Sequence, residues 1–450
     1  MSILEKTLRM LEKHPLCDHC LGRQFAMLGH GLGNDERGKA VKSVLTLNAH
    51  SLMLSGEKEG TRILKVLATN GFSQTAKEVL RKTKKRILNK NIPEKCFLCD
   101  GKFENTKVLA EKGFELLQDY EYSTFLVGVE LPVAIAERED EFKAESDVSH
   151  GENMRNEFGR LIGKAIAERN DKEVEFRKPE IVVLVNPFAG KVWLQVNPLF
   201  VSGRYRKLVR GIPQSRWFCS HCRGKGCKEC NWTGKLYPES VEEIIEKPFL
   251  DTTEGPKGSF HASGREDIDA RMLGNGRPFV VEITRPRKRF LNLKEMEEAV
   301  NTFGKDKVEV SNLKLANKDA VRRLKKGESR QKEYRVIVEF ENKVAVSDLR
   351  LLEENLSNTL ISQKTPIRVM HRRADLTREK YIYDVKVKKL SPHTAEMKVR
   401  CAGGLYVKEL VSGDEGRTTP SVSELLNNKA KPMKLDVLNI IMGDQEEAEK

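Results

Sequence analysis

The sequence predicts an α+β protein whose C-terminal half is a mixed, largely antiparallel sheet with helices packed on it. Three observations carry this. Helical periodicity of three and four residues dominates the first hundred positions. Short runs rich in β-branched and aromatic residues recur from about residue 124 onward. Glycine and proline punctuate the transitions between them. A chain of 450 residues accommodates several domains of ordinary size, and the pattern shifts divide it into 1–105, 106–211 and 212–450.

The elements follow in order. MSILEKTLRMLEKH has the pattern of a charged amphipathic helix and lacks the long apolar core of a secretory signal. DERGKAVKSVLTLNAHSLM and SQTAKEVLRKTKKRIL continue the helical section, and Pro93 marks a break after them. STFLVGVELP then reads as a strand ending in a turn, EREDEFKAESDVSHGEN as a loose charged segment, and RNEFGRLIGKAIAERN as a helix. PEIVVLVNP and KVWLQVNP are strands joined by the turn FAG. GRYRKLVRG, residues 203–211, gives this section a basic exposed end that includes Arg204 and Arg206. In the last section the expected strands are FVVEI (279–283), YRVIVEF (334–340), PIRVMH (366–371), YIYDVKVKKL (381–390) and TAEMKVRC (394–401). Helices are expected at NLKEMEEAVNTF (291–302) and SVSELLNN (421–428), and GDQEEAEK is an acidic tail.

Hydrophobic residues make up 39% of the chain and charged residues 32%, which excludes general disorder. Lys and Arg number 80 against 66 acidic residues, a net charge of +14 that favours a polyanionic partner. No stretch has the apolar length of a membrane span, so a reducing cytoplasm is the expected location and the nine cysteines require a role other than disulfides.

Eight cysteines fall in pairs with two intervening residues. CSHCRGKGCKEC sets Cys219 and Cys222 against Cys227 and Cys230, with Gly224 and Gly226 allowing the reversal between them. Cys17 and Cys20 face Cys96 and Cys99 across a long helical stretch, a spacing that would staple the two ends of the first domain. Four thiolates suit zinc, with free thiols or an iron–sulfur centre as the alternatives, and a four-cysteine site leaves no position open for water, so both metals are expected to be structural. His19, between two ligands, is expected beside the site or exposed. Cys401 is expected as a small buried apolar residue in a strand.

The segment GREDIDARMLGNGRPFVVEI crowds charges directly ahead of an apolar strand. If its loop lies at a sheet edge, Asp267 can point into a cleft bordered by the basic stretches ITRPRKR, HRRAD and KEL. Arg287, Lys288 and Arg289 suit phosphate contact, and a carboxylate beside Arg or Lys stays ionised. The same residues also suit a structural ion-pair network. GLGNDERGK fails the phosphate-loop pattern, and no Ser-His-Asp set has a recognisable context.

GREDIDARMLGNGRPFVVEI, KTPIRVMHRRAD and CAGGLYVKELVSGDEGRTTPSVSELL resemble the archaeal Pus10 family of tRNA pseudouridine synthases. The likeness covers most of the chain, includes the N-terminal cysteine pairs, and makes the middle section similar to a THUMP-containing RNA-binding domain. The resemblance implies a catalytic carboxylate at Asp267 with Asp269 in support, an active-site aromatic at Tyr334, a basic partner at Lys408, and uracil packing by Leu410 or Val407. It also implies substrate contacts by Arg265 and Arg271. The loop at 219–230 varies across the family. The implied reaction isomerises uridine to pseudouridine in the T-arm of tRNA, at the adjacent uridines of the TΨC loop, with no organic cofactor, no membrane and no obligate protein partner. Attack at C1′, attack at C6, and removal of the C2′ proton all suit such a carboxylate. A non-catalytic binder of structured RNA is the alternative; a methyltransferase lacks its glycine-rich cofactor loop here.

Overall fold

The computed structural model describes residues 2–85, 93–326 and 331–441, excepting the side chain of Arg372. Part of RKTKKRIL and the acidic tail lie outside them. The described chain forms two compact units, Met1–Asn197 and Pro198–Lys450.

The first unit is built from helices α1 (Ile3–Lys13), α2 (Asp18–Gly22), α3 (Asn34–Leu54), α4 (Lys58–Thr69), α5 (Gln74–Lys82), α6 (Thr106–Leu117), α7 (Val133–Glu145) and α8 (Met154–Ala167), with strands β1 (Thr124–Val129), β2 (Glu173–Val174), β3 (Ile181–Asn186) and β4 (Lys191–Val196). The sheet order is β2-β1-β3-β4; β1 runs parallel to β2 and β3, and β4 closes antiparallel as a hairpin. Ser2 starts α1 with a capping box completed by Glu5. One apolar cluster runs from Met10 and Leu11 through Leu64, Leu98 and Leu109 to Phe158 and Val183. Two corrections follow. The boundary expected at 105 does not separate two cores, because residues on both sides pack into this one cluster. EREDEFKAESDVSHGEN is not loose: most of its charged part is in α7, which buries Ile135, Glu139 and Phe142.

The second unit begins with β5 (Leu199–Lys207), followed by α9 (Val241–Thr253), β6 (Lys257–Ala262), β7 (Ala270–Thr284), α10 (Leu293–Phe303), β8 (Val308–Ala316), α11 (Lys318–Lys326), β9 (Lys332–Phe340), α12 (Val346–Leu356), β10 (Thr359–Lys364), β11 (Thr377–Ser391), β12 (Thr394–Cys401), α13 (Val407–Ser412), β13 (Thr418–Thr419), α14 (Val422–Leu425) and β14 (Ala430–Ile440). Its sheet has the order β13-β10-β11-β12-β9-β14-β7-β5-β8, with β6 also on β7. Only the β14–β7 pairing is parallel among these. The boundary expected at 211 is thus displaced: β5 carries GRYRK into this sheet, between β7 and β8. PIRVMH is also corrected, from a strand to a 3-10 turn over Ile367–Arg372.

The unbroken apolar run in β7 has a clear cause. Phe279, Val281 and Ile283 face a cluster with α9 and α10, while Val280 joins Phe200 and residues Val321 and Leu324 of α11 in another. A strand covered on both faces loses the polar alternation of a half-exposed one. Upstream, Gly274 has φ +56°, and an added Cβ would lie 2.0 Å from the Leu438 carbonyl oxygen, so only glycine lets β7 pass β14 there.

Candidate active site

The charged loop ahead of β7 is fixed from below by buried polar groups. Glu266 is buried, as is Arg277, whose Nε donates to Glu266 Oε2 at 2.9 Å. Tyr205 donates its hydroxyl to the same carboxylate at 3.0 Å, and Gln214 donates to the Tyr205 oxygen at 2.7 Å and to the Gly264 carbonyl at 3.0 Å. Lys207, also buried, donates to the carbonyls of Ile212, Asp267 and Ile268 at 2.7, 3.2 and 3.0 Å. Burial brings its pKa down to about 8, against the pull of Glu266, Asp269 and Asp267. These groups hold the loop by its backbone and leave the next carboxylate free to face outward.

That carboxylate is Asp267, whose side chain is 38% exposed. Its Oδ2 lies 3.2 Å from Lys408 Nζ and 3.2 Å from Arg368 Nη1. Burial would raise its pKa, but Arg368 and then Lys408 outweigh that and hold it below the ordinary carboxylate range. Lys408 stands on α13 and also donates to both oxygens of Asp269 at 2.7 Å. Arg368 comes from the 3-10 turn, where its Nε donates to Glu409 Oε1 at 2.6 Å and its guanidinium lies 6.0 Å from the Tyr406 ring centroid. The arrangement is an ionised carboxylate between two cations, each oriented by a further acidic group. The expected Asp267–Lys408 pairing is present, with Asp269 as the second partner of the lysine. Arg368 lies in KTPIRVMHRRAD three residues before the more basic HRRAD, and nothing in its local sequence marks it as the residue that reaches Asp267.

Two family models match: "Pus10, C-terminal" over residues 200–441 and "Pus10 THUMP domain, archaeal" over residues 109–186. Relatives described as tRNA pseudouridine synthase Pus10 align along nearly the whole chain. The one from Methanocaldococcus jannaschii is 46% identical over 440 residues, covering 96% of this chain and 93% of its own. The one from Pyrococcus furiosus is 40% identical over 439 residues, covering 98% of both chains. The chain belongs to the Pus10 pseudouridine synthase family. The THUMP match falls on α6 through β3 of the first unit.

Tyr334 sits in β9 opposite Val399 of β12 and Val437 of β14, and burial pushes its phenol well above the ordinary range. Leu410 and Val407 are both buried in the α13 core. Arg265 is exposed, with its guanidinium 5.8 Å from the Trp217 ring centroid. The other expected substrate contacts separate. Arg287 is exposed; Lys288 pairs with Glu254 at 2.7 Å, and Arg206 with Glu309. Three are placed otherwise. Arg271 is bonded to Asp436 at 2.9 and 3.0 Å, beside Arg210 and Arg335 on the same carboxylate. Arg204 donates to the carbonyls of Asn275 and Gly276, and Arg289 is buried. Adjacent sequence does not reveal these partners or this burial.

Both cysteine sets converge. Within each, the four sulfurs lie within 4.8 Å of one another. In the second set the sulfur separations are 3.9 Å (Cys219–Cys227), 3.8 Å (Cys222–Cys230) and 3.6 Å (Cys227–Cys230). A tetrahedron with metal–sulfur bonds of about 2.3 Å has edges of about 3.8 Å, so the donors fit such an ion. Backbone amides of Gly226, Cys227 and Gly234 each donate to a cysteine sulfur at 3.2 Å. Burial would raise the Cys230 thiol, but the amides of Cys227 and Gly234 with the neighbouring thiols bring it down to about 6. His19 is not a fifth ligand: its Nδ1 is 3.1 Å from Glu157, and its ring stacks on Phe103. Cys401 is buried in β12, as expected. A concavity of about 240 Å³ lined by Lys6, Arg9 and Lys13 lies within the first unit, whereas the carboxylate cluster belongs to the second. Among the described residues no helix is long and apolar enough to cross a membrane.

Proposed function

We propose that this chain isomerises uridine to pseudouridine in tRNA, at the adjacent uridines of the T-arm's TΨC loop, with Asp267 as the catalytic carboxylate. The observation that carries the reading is Asp267 held between Lys408 and Arg368 on a loop anchored by buried Glu266. The reaction detaches uracil from C1′ of ribose, turns it, and rejoins it through C5. No electrons are gained or lost, so the chemistry has no need of a redox cofactor.

Asp267 acts as an anion at the sugar or base, and the two cations keep it ionised and aimed. Tyr334, neutral throughout the physiological range, stacks on the extruded uracil, with Leu410 and Val407 packing behind. Extrusion costs a few kcal/mol of unstacking, which phosphate contacts offset. Arg265 and Arg287 supply such contacts directly, and Lys288 and Arg206 do so by exchanging exposed carboxylates for phosphate. A cytoplasmic location agrees with cysteines that form no disulfides. Zinc is the ion that four thiolates at tetrahedral spacing favour, and in each cluster it closes a loop and leaves no position for substrate.

Mapping pseudouridine on an unmodified tRNA transcript, without added cofactor, tests this. Wild-type protein yields product in the T-arm, and Asp267→Ala yields none while keeping most of its tRNA affinity. Wild-type turnover by Asp267→Ala sinks the assignment.

A further inference from the structure

The four-cysteine loop of the second unit carries side chains that neither a metal nor the core uses. Phe218 is 59% exposed and Trp232 is 72% exposed. Two large aromatic side chains left in water on one short loop form an apolar surface with no partner among the described residues. Both aromatics flank the Gly224–Gly226 turn. An added Cβ at Gly224 would lie 2.9 Å from the Phe218 ring, and one at Gly226 would lie 2.9 Å from the Trp232 carbonyl oxygen. Their φ values of +94° and +88° suit glycine alone. Exposed Arg223, Lys225 and Lys228 surround this turn. The base of the same loop adjoins the reaction site, since Trp217 lies under Arg265, two residues ahead of Asp267.

We propose that this knob is a stacking platform for unpaired nucleotides of the RNA beside the target uridine. Phe218 and Trp232 take the faces of bases, and Arg223, Lys225 and Lys228 take the adjoining phosphates. The proposal rests on the chain being a tRNA pseudouridine synthase, and adds how the substrate is gripped. Aromatics interleaved with lysine and arginine fit a single-stranded polyanion. A protein partner fits less well, because interface cores are depleted in lysine.

The experiment uses full-length metal-loaded protein, an unmodified tRNA transcript and a short unstructured RNA. Trp232→Ser and Phe218→Ser each raise the Kd for both RNAs about tenfold, with metal content and melting temperature held at wild-type values. RNA quenches the fluorescence of wild-type protein, and Trp232→Ser removes most of that quenching. Lys225→Ala lowers the slope of log Kd against log salt by about one. Wild-type Kd values in the double variant Trp232→Ser/Phe218→Ser overturn the proposal, as does a binding loss confined to a protein partner. Should wild-type protein bind RNA through these residues yet form no pseudouridine, the catalytic reading fails and the platform stands.

Discussion

Glu266 and Asp267 are chain neighbours with opposite surroundings. Glu266 is buried, bonded by Arg277 and Tyr205, and spent on structure. Asp267 is partly exposed between Lys408 and Arg368, and it is the carboxylate proposed to act on the substrate. One side chain holds the loop down and the next is lifted off it. The crowding of charges before an apolar strand therefore combines an anchor inside with a carboxylate held between two cations outside, and burial separates them where charge does not.

The contrast is most directly broken at the anchor. Glu266→Ala leaves Arg277 charged in the core without its acidic partner, a change that costs about 3–5 kcal/mol. Urea unfolding monitored by circular dichroism should show that loss, and activity should fall with it because the loop is released. Wild-type stability in this variant would mean that the anchor is dispensable.

The next largest effects fall on the reactive side. Lys408→Ala and Arg368→Ala each misplace Asp267 and are expected to lower kcat about a hundredfold. The pH profile sharpens the point. Asp267 has a depressed pKa in the folded protein, so its ionised form persists as pH falls until that depressed value is passed. Removing either cation leaves burial to act with less opposition, and the acid limb of kcat/KM moves to higher pH. Stability then tells the two variants apart. Arg368→Ala strands buried Glu409, whose Oε1 accepts from Arg368, whereas Lys408→Ala releases only part-exposed carboxylates. Arg368→Ala should therefore melt lower, and Glu409→Gln in that background should restore part of the loss. An unmoved acid limb in both variants would remove the cations from any role in charging Asp267.

Much of this was legible from residue order. Short runs rich in β-branched and aromatic residues placed β3, β4, β9, β11 and β12, because strand preference is written locally. The CxxC pairs found their partners because four closely spaced thiols suit one tetrahedral ion. Asp267 and Lys408 came from resemblance, and their contact is now a distance. What stayed hidden depends on remote surroundings. β5 looks like part of the section before it because its partners are remote, from Lys207 opposite Met272 in β7 to Phe200 opposite Ala316 in β8. PIRVMH alternates like a strand, yet it folds as the turn that delivers Arg368. Arg271 and Arg287 look equally suited to phosphate, and only the fold shows that Asp436 already holds the first.

The smallest effect lies farthest from either carboxylate. Arg206 forms an ion pair with Glu309 on neighbouring strands, with both side chains well exposed. An exposed pair of this kind contributes about 0–1 kcal/mol, so Arg206→Ala should leave the melting curve nearly unchanged. If Arg206 turns from Glu309 to a tRNA phosphate, the variant binds tRNA less tightly at low salt, and its salt slope falls by about one. The acid limb of kcat/KM should stay where it is, because Arg206 is not among the groups that charge Asp267. A shifted limb with an unchanged salt slope would reverse that assignment and tie β5 to the chemistry instead of to the grip.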